Sequence, residues 1–378
     1  MGLSRTLVGV AAVLTALVVL AATGCAANPP AIQWQRTFGD SYNYGSCVQQ
    51  TSDGGFIVTG VSSPDTLAPG YPAGIPPAML PDMYLLKTDS LGNTVWEKVF
   101  AGPGADRASA VRPTTDGGYV LAGRVDTIPG WVGTRTALVM KLDSLGNVVW
   151  VDSAPAPSSA SGVELTADGG YISVGGVVFD SVHLRKLDSQ GNLEWHVKLP
   201  EIGYPGGNYR GSPQTVQQTS DGGYITSYEF IFKTDSLGNV QWSRRHSDVT
   251  VLFSIRQTTD GGYIATGIAP NPQKPEHEYN LVLLKMDAQG NKVWKRIFRG
   301  SEASSGRCVR QTADGGYFVT GMSDGVYLVR TDSLGNELWA GGLPGIESYM
   351  AECGEPTADG GYVVGVGYVL VKLAPEGQ

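Results

Sequence analysis

Seven polar residues recur at one fixed place in the chain: Gln49, Arg112, Glu164, Gln217, Arg256, Arg310 and Glu355 each stand four residues before an Asp-Gly-Gly tripeptide. Brought to a common axis, they would form a mixed-charge ring able to hold a small polar ligand or a column of water. Six residues before the same tripeptide stand Cys47, Ala110, Gly162, Thr215, Ser254, Cys308 and Cys353, small in every case. The three thiols have three readings: tight packing, a disulfide between neighbouring units, or a metal ligand set. A disulfide needs Cα atoms within about 7 Å. Metal binding finds no support elsewhere, because His183, His196, His246 and His277 lack ligand spacing and neither H-E-x-x-H nor paired C-x-x-C occurs. No nucleophile stands with its base. Asp82, Asp106, Asp126, Glu201, Glu278, Glu302 and Glu347 are scattered, so reading alone locates no glycosidase-type carboxylate pair. No cofactor and no metal are expected.

The elements that must position these residues are repeats. Asp-Gly-Gly followed by an aromatic occurs at Asp53, Asp116, Asp168, Asp221, Asp260, Asp314 and Asp359, each two residues after a Thr. Seven units at a fixed period dominate any reading of the fold. Each unit reads as four short strands. Strand A ends at the DGG turn (CVQQTSDGG), strand B follows (FIVTG), and strand C (MYLLKTD) leads through D-S-L-G-N into strand D (TVWEKVF). Four strands per unit and seven units predict an all-β chain, a seven-bladed β-propeller of four-stranded antiparallel blades.

The last unit stops after YVLVKLAPEGQ and has no Trp, whereas AIQWQRTFGD near the N-terminus has a Trp and no strands before it. That N-terminal stretch is an orphan strand D, and placing it after the C-terminus completes the seventh blade. Trp34 then joins Trp96, Trp150, Trp195, Trp242, Trp294 and Trp339. Closure of this kind also removes exposed sheet edges.

The K-x-D-S-x-G-N-x-x-W unit resembles the blade repeat of quinoprotein-dehydrogenase-like propellers. The whole DGG-to-Trp unit looks like repeats of bacterial surface and envelope lipoproteins, and the likeness covers residues 31–378. The resemblance implies the propeller fold. It departs from the enzymes in having seven units where they commonly have eight, a C–D turn one residue shorter, and no adjacent cysteine pair.

Residues 1–24 have one cation, Arg5, then an apolar core and small residues before Cys25. That is the pattern of an export signal, and AATGC resembles a bacterial lipoprotein signal, which implies lipidation of Cys25. The expected organisation is a signal at 1–24, a lipidated Cys25 with a short tether to residue 31, and one propeller over 32–378. Such a protein is exported and held at a bacterial cell envelope or surface by its lipid anchor alone. The formal charge of -8 and the lack of a basic stripe exclude a nucleic-acid partner.

Residues that fill one slot seven times belong to the frame, which covers the Thr-x-Asp-Gly-Gly turns, the Trp residues and the strand C cations Lys87, Lys141, Lys186, Lys233, Lys285, Arg330 and Lys372. The D-S-L-G-N turns offer about one carboxylate each, too few for calcium, so simple turn capping is expected. If strand A runs from face X to face Y, the short A–B and C–D turns lie on Y and the variable B–C and D–A loops lie on X. Those loops hold Tyr71, Trp131, Tyr204, Tyr209, Tyr279 and Tyr349, aromatic anchors that with Arg210 beside them suit a protein partner or a glycan. The expected function is therefore a non-catalytic, monomeric scaffold that binds a protein or glycan of the envelope through face X. The competing reading is an envelope hydrolase or oxidoreductase with its site at the channel mouth. Six extended residues separate Cys25 from the orphan strand and span at most about 20 Å, which places face Y against the membrane.

Overall fold

The computed structural model describes residues 28–38, 44–62, 81–102, 104–126, 135–154, 158–177, 181–200, 214–271, 279–300, 303–346 and 351–377. They form seven four-stranded antiparallel sheets, the blades of a propeller. Blades one to six span Tyr44–Phe100, Arg107–Ala154, Ser158–Lys198, Val216–Arg244, Val251–Phe298 and Ser304–Gly341. Blade seven takes strands A, B and C from Ala351–Leu373 and strand D from Ile32–Thr37, which pairs antiparallel with Val369–Leu373. The orphan strand is thus where the sequence places it, and it starts at the Y rim, where Ala374 N donates to Ala31 O at 2.9 Å.

Each DGG turn needs its two glycines for different reasons. Gly117 sits at φ 80°, a region that side chains rarely adopt. A Cβ on Gly118 would lie 2.2 Å from Leu142 O and 2.6 Å from Lys141 Nζ, so strand C closes against it. Asp116 Oδ1 then accepts from Thr114 Oγ1 at 2.5 Å, Gly118 N at 3.1 Å and Lys141 Nζ at 3.1 Å. The same cation pairs with the same aspartate in all seven blades. In the C–D turns Asp89 accepts from Leu91 N and Asn93 N through Oδ1 and from Asn93 Nδ2 through Oδ2. Those oxygens cap the turn.

The cores lie between blades. One cluster runs from Cys353, Val363 and Leu370 of blade seven through Val48, Leu85 and Leu86 of blade one to Leu121 and Leu142 of blade two. Burying a leucine of this kind fully contributes roughly 2 kcal/mol. Because blades seven and one share that core, closure is apolar as well as hydrogen-bonded. A glutamine staple repeats the theme: Gln50, Gln218, Gln257 and Gln311 each accept, through Oε1, a backbone N–H from the DGG turn of the preceding blade. For Gln50 that blade is the seventh, through Ala358 N at 2.8 Å.

Candidate functional site

The innermost strands carry an irregularity that the repeat alone does not reveal. In six blades the A–B register slips by one residue, between Gly45 and Cys47, Ala108 and Ala110, Ala160 and Gly162, Leu252 and Ser254, Gly306 and Cys308, and Ala351 and Cys353. The skipped residues are Ser46, Ser109, Ser161, Phe253, Arg307 and Glu352. A β-bulge of this kind reverses the alternation of side chains beyond it. Consequently residues nine and seven before the Asp share the channel side with residues six and four before it. The sequence signal is a glycine on strand B opposite the bulge. A Cβ on Gly123, Gly267 or Gly321 would lie 2.1, 1.9 or 1.9 Å from the carbonyl of Arg107, Val251 or Ser305.

Together these slots line a cavity of about 270 Å³ on the channel axis. Its wall runs from residues at the X ends of the inner strands, such as Arg107, Ser159 and Arg307, inward to Arg112, Arg256 and Arg310. Six arginines contribute: Arg107, Arg112, Arg124, Arg256, Arg307 and Arg310, with Glu352 as the one acid among the described lining residues.

The seven residues singled out four places before DGG are described in full, and they do not act alike. Glu164 of blade three accepts from Arg112 of blade two at 2.8 Å and from Arg256 of blade five at 2.5 Å, which ties three blades across the channel. Arg310 donates to Val309 O at 3.0 Å. Gln49 donates to Val48 O at 2.7 Å, and Gln217 accepts from Gln257 N at 2.7 Å. Glu355 accepts from Gln50 N. The two glutamates share a slot and differ in how readily they ionise. Burial would raise Glu164, but Arg112 and Arg256 hold it at about 2. Burial pushes Glu355 up to about 7, and the field of Arg310 only partly opposes it. Direct hydrogen bonds from two guanidinium groups separate the cases.

The slot six before DGG bridges blades. Cys47, Cys308 and Cys353 are buried and unoxidised, and each lies next to the carbonyl of the following blade: Val111 at 3.8 Å, Gly354 at 3.6 Å and Val48 at 3.6 Å. Thr215 and Ser254 fill the same place by accepting Ile255 N and Val309 N. Small size and a polar tip therefore serve blade packing. Cys353 Sγ also donates to Cys47 Sγ at 3.8 Å, and Arg112 Nη1 lies 3.5 Å from Cys47 Sγ. Against the burial that opposes ionisation, the hydrogen bond from Cys353, with help from Arg112, lowers the Cys47 thiol to about 6.

Three of the acids scattered in sequence are brought together. Asp82, Asp106 and Asp126 meet where blades one and two adjoin at the X rim, and Asp106 Oδ1 accepts from Asp126 N at 2.9 Å. Burial, with Asp82 and Asp126 adding to it, raises Asp106 to about 7. The three are only 6%, 1% and 3% exposed and stand at the join between the two blades. Of the face X candidates, Tyr279 is described, 45% exposed at the start of its strand C. Tyr71, Trp131, Tyr204, Tyr209, Arg210 and Tyr349 lie outside the described residues, as does Cys25.

No protein-family model matches the chain, and no curated protein matches it. Solved structures do. The WD40 β-propeller domain of Doa1 aligns with a TM-score of 0.62 at 11% identity, over 92% of this chain and 97% of that one. The Neurospora crassa Pan2 WD40 domain aligns at 0.62 and 7% identity over 93% and 97%. A streptogramin B lyase aligns at 0.62 and 11% identity over 90% and 97%. WD40 domains and a lyase thus share this architecture, and at these identities the likeness is one of fold.

Proposed function

We propose that this protein is a non-catalytic lipoprotein of the cell envelope, anchored by lipidated Cys25, whose propeller binds a protein or glycan through face X. One observation supports this reading above the others, the contrast between the two faces. The turns of face Y repeat one pattern and spend their polar groups on themselves. Face X receives the connections that differ between blades, and the arginine-lined cavity runs inward from that rim. Variation on one rim of a rigid scaffold is where recognition usually resides. The described start of the orphan strand at the Y rim agrees with an anchor on that side, leaving face X turned outward.

The test passes an envelope extract over the immobilised chain beside a Trp131→Ala/Tyr209→Ala variant. A protein or glycan retained by the first and lost by the second supports the reading. Equal retention by both, or none, counts against it. Labelling with a fatty acid that a Cys25→Ser variant fails to take up tests the anchor separately.

A further inference from the structure

We propose that the axial cavity is itself a binding site, for a small free oxyanion carrying phosphate, sulfate or clustered carboxylate groups. This site stands apart from recognition by the face X loops and does not depend on it. The charge is the first argument. Six arginines line about 270 Å³ in a chain whose formal charge is -8. Glu164 neutralises part of that charge by pairing with Arg112 and Arg256, and Asp126 stands 3.7 Å from Arg124. Glu352 removes one more unit, and the readily ionised Cys47 thiol on the same wall another. Arg107, Arg307 and Arg310 make no ion pair with any described residue. The lining therefore keeps a surplus of positive charge in a concave site, where opposite charge is held more strongly than at an open surface.

Unmet hydrogen bonding is the second argument, and it is independent of the first. The Nε atoms of Arg256 and Arg307 are buried and have no acceptor. Arg256 is only 9% exposed and lines the cavity. A buried donor without a partner costs about 1–3 kcal/mol, more when charged, and an oxyanion in the cavity would supply the acceptors. Arg307 is also held in place, with its guanidinium carbon 4.5 Å from the centroid of the Phe253 ring. A stacked guanidinium presents its planar fork to a ligand with little further ordering, and that fork matches phosphate, sulfate and carboxylate. The hydroxyls of Ser46, Ser109 and Ser161, carried there by the bulges, add neutral donors. The volume is several times the roughly 30 Å³ share of one water, so a small polyatomic anion fits.

Isothermal titration of the full chain with inorganic sulfate, inorganic phosphate and citrate, against chloride at equal ionic strength, tests the site. At least one of the three should bind with millimolar affinity or better, and Arg310→Gln and Arg307→Gln should each weaken it about tenfold. A second readout needs no variant, because Cys47 lines the same cavity. The bound anion should slow alkylation of Cys47 in the unaltered protein. No heat from any of the three up to about 10 mM, well above a millimolar dissociation constant, would overturn the proposal. So would binding that leaves Cys47 unprotected and survives both substitutions, since the anion would then sit elsewhere.

Discussion

Trp34 packs edge-on against Phe56, with ring centroids 5.8 Å apart and planes at 63°. The two residues belong to the seventh and first blades, and the contact joins the strand that closes the ring to the aromatic that follows the first DGG turn. Each other blade repeats it with its successor. Trp96 meets Tyr119 at 5.8 Å, Trp150 meets Tyr171 at 5.4 Å, and Trp195 meets Tyr224 at 5.7 Å, all edge-on. The ring closes through the same contact that joins its other blades.

Equivalence has a measurable consequence. Trp34→Ala and Trp150→Ala each remove a half-buried indole from the same environment, and each should cost about 2–3 kcal/mol, below the roughly 3–5 kcal/mol of fully buried truncations. Urea unfolding with the slope held constant would read both. A much smaller loss for Trp34→Ala would mean that the closing strand is a loose end.

Most of the frame was legible in the sequence because the frame is periodic: one slot filled alike seven times announces a structural role. The completed seventh blade followed from counting Trp residues. The bulge was not legible, because a one-residue insertion at the same place in six of the seven units leaves the spacing of the repeat motifs nearly intact. Its trace was the strand B glycine, which also reads as ordinary strand composition. The meeting of Asp82, Asp106 and Asp126 was hidden for a different reason. These residues stand on neighbouring blades, and which loop ends adjoin depends on the register of two sheets.

The frame turns should set the acid limit of the fold. A hydrogen bond from Thr114 first, then the contacts to Lys141 and Gly118, hold Asp116 at about 2 against an ordinary 3.8. A carboxylate lowered in the folded state adds stability that is complete above pH 3.8 and is lost as pH falls through 2. Asp53, Asp168, Asp221 and Asp260 also lie at about 2, so the effect repeats around the ring. The protein should stay folded at about pH 4 and unfold cooperatively below it. Asp116→Asn should lower stability at neutral pH and flatten the acid slope, measured by circular dichroism across a pH series. An unchanged slope would show that these aspartates do not govern acid unfolding.

Glu355 and Glu164 should respond to amide substitution with opposite signs. Glu355 is raised by burial to about 7 from 4.5, so the folded state binds the extra proton between those values. Its contribution is then fully present below pH 4.5 and declines as pH rises through 7. Glu355→Gln mimics the protonated form and should raise the melting temperature at pH 8 while leaving it nearly unchanged at pH 4.5. Glu164→Gln removes a carboxylate bound to two arginines. It should lower the melting temperature at both pH values, by several degrees. Matching responses from the two variants would refute the contrast in ionisation between these two glutamates.

Cys47 should be a reactive thiol of this propeller. Its sulfur accepts from Cys353 Sγ and lies 3.5 Å from Arg112 Nη1, and it lines a cavity that small reagents can enter. The thiolate is the nucleophile, so reactivity follows its population. With the thiol lowered to about 6, iodoacetamide should label Cys47 in the folded protein with a half-maximal rate near that pH. Cys308, lowered by its own contact with Cys353, should label as well, whereas Cys353 should stay unlabelled, because its hydrogen bonds with Cys308 and Cys47 raise it well above the usual thiol range. Cys353→Ala removes the main cause of the lowering and should move the Cys47 profile upward, a shift that a purely structural role for Cys353 would not produce. Peptide mapping by mass spectrometry separates the three sites. Equal labelling of all three, or labelling of Cys47 only after unfolding, would mean that the cluster serves packing alone.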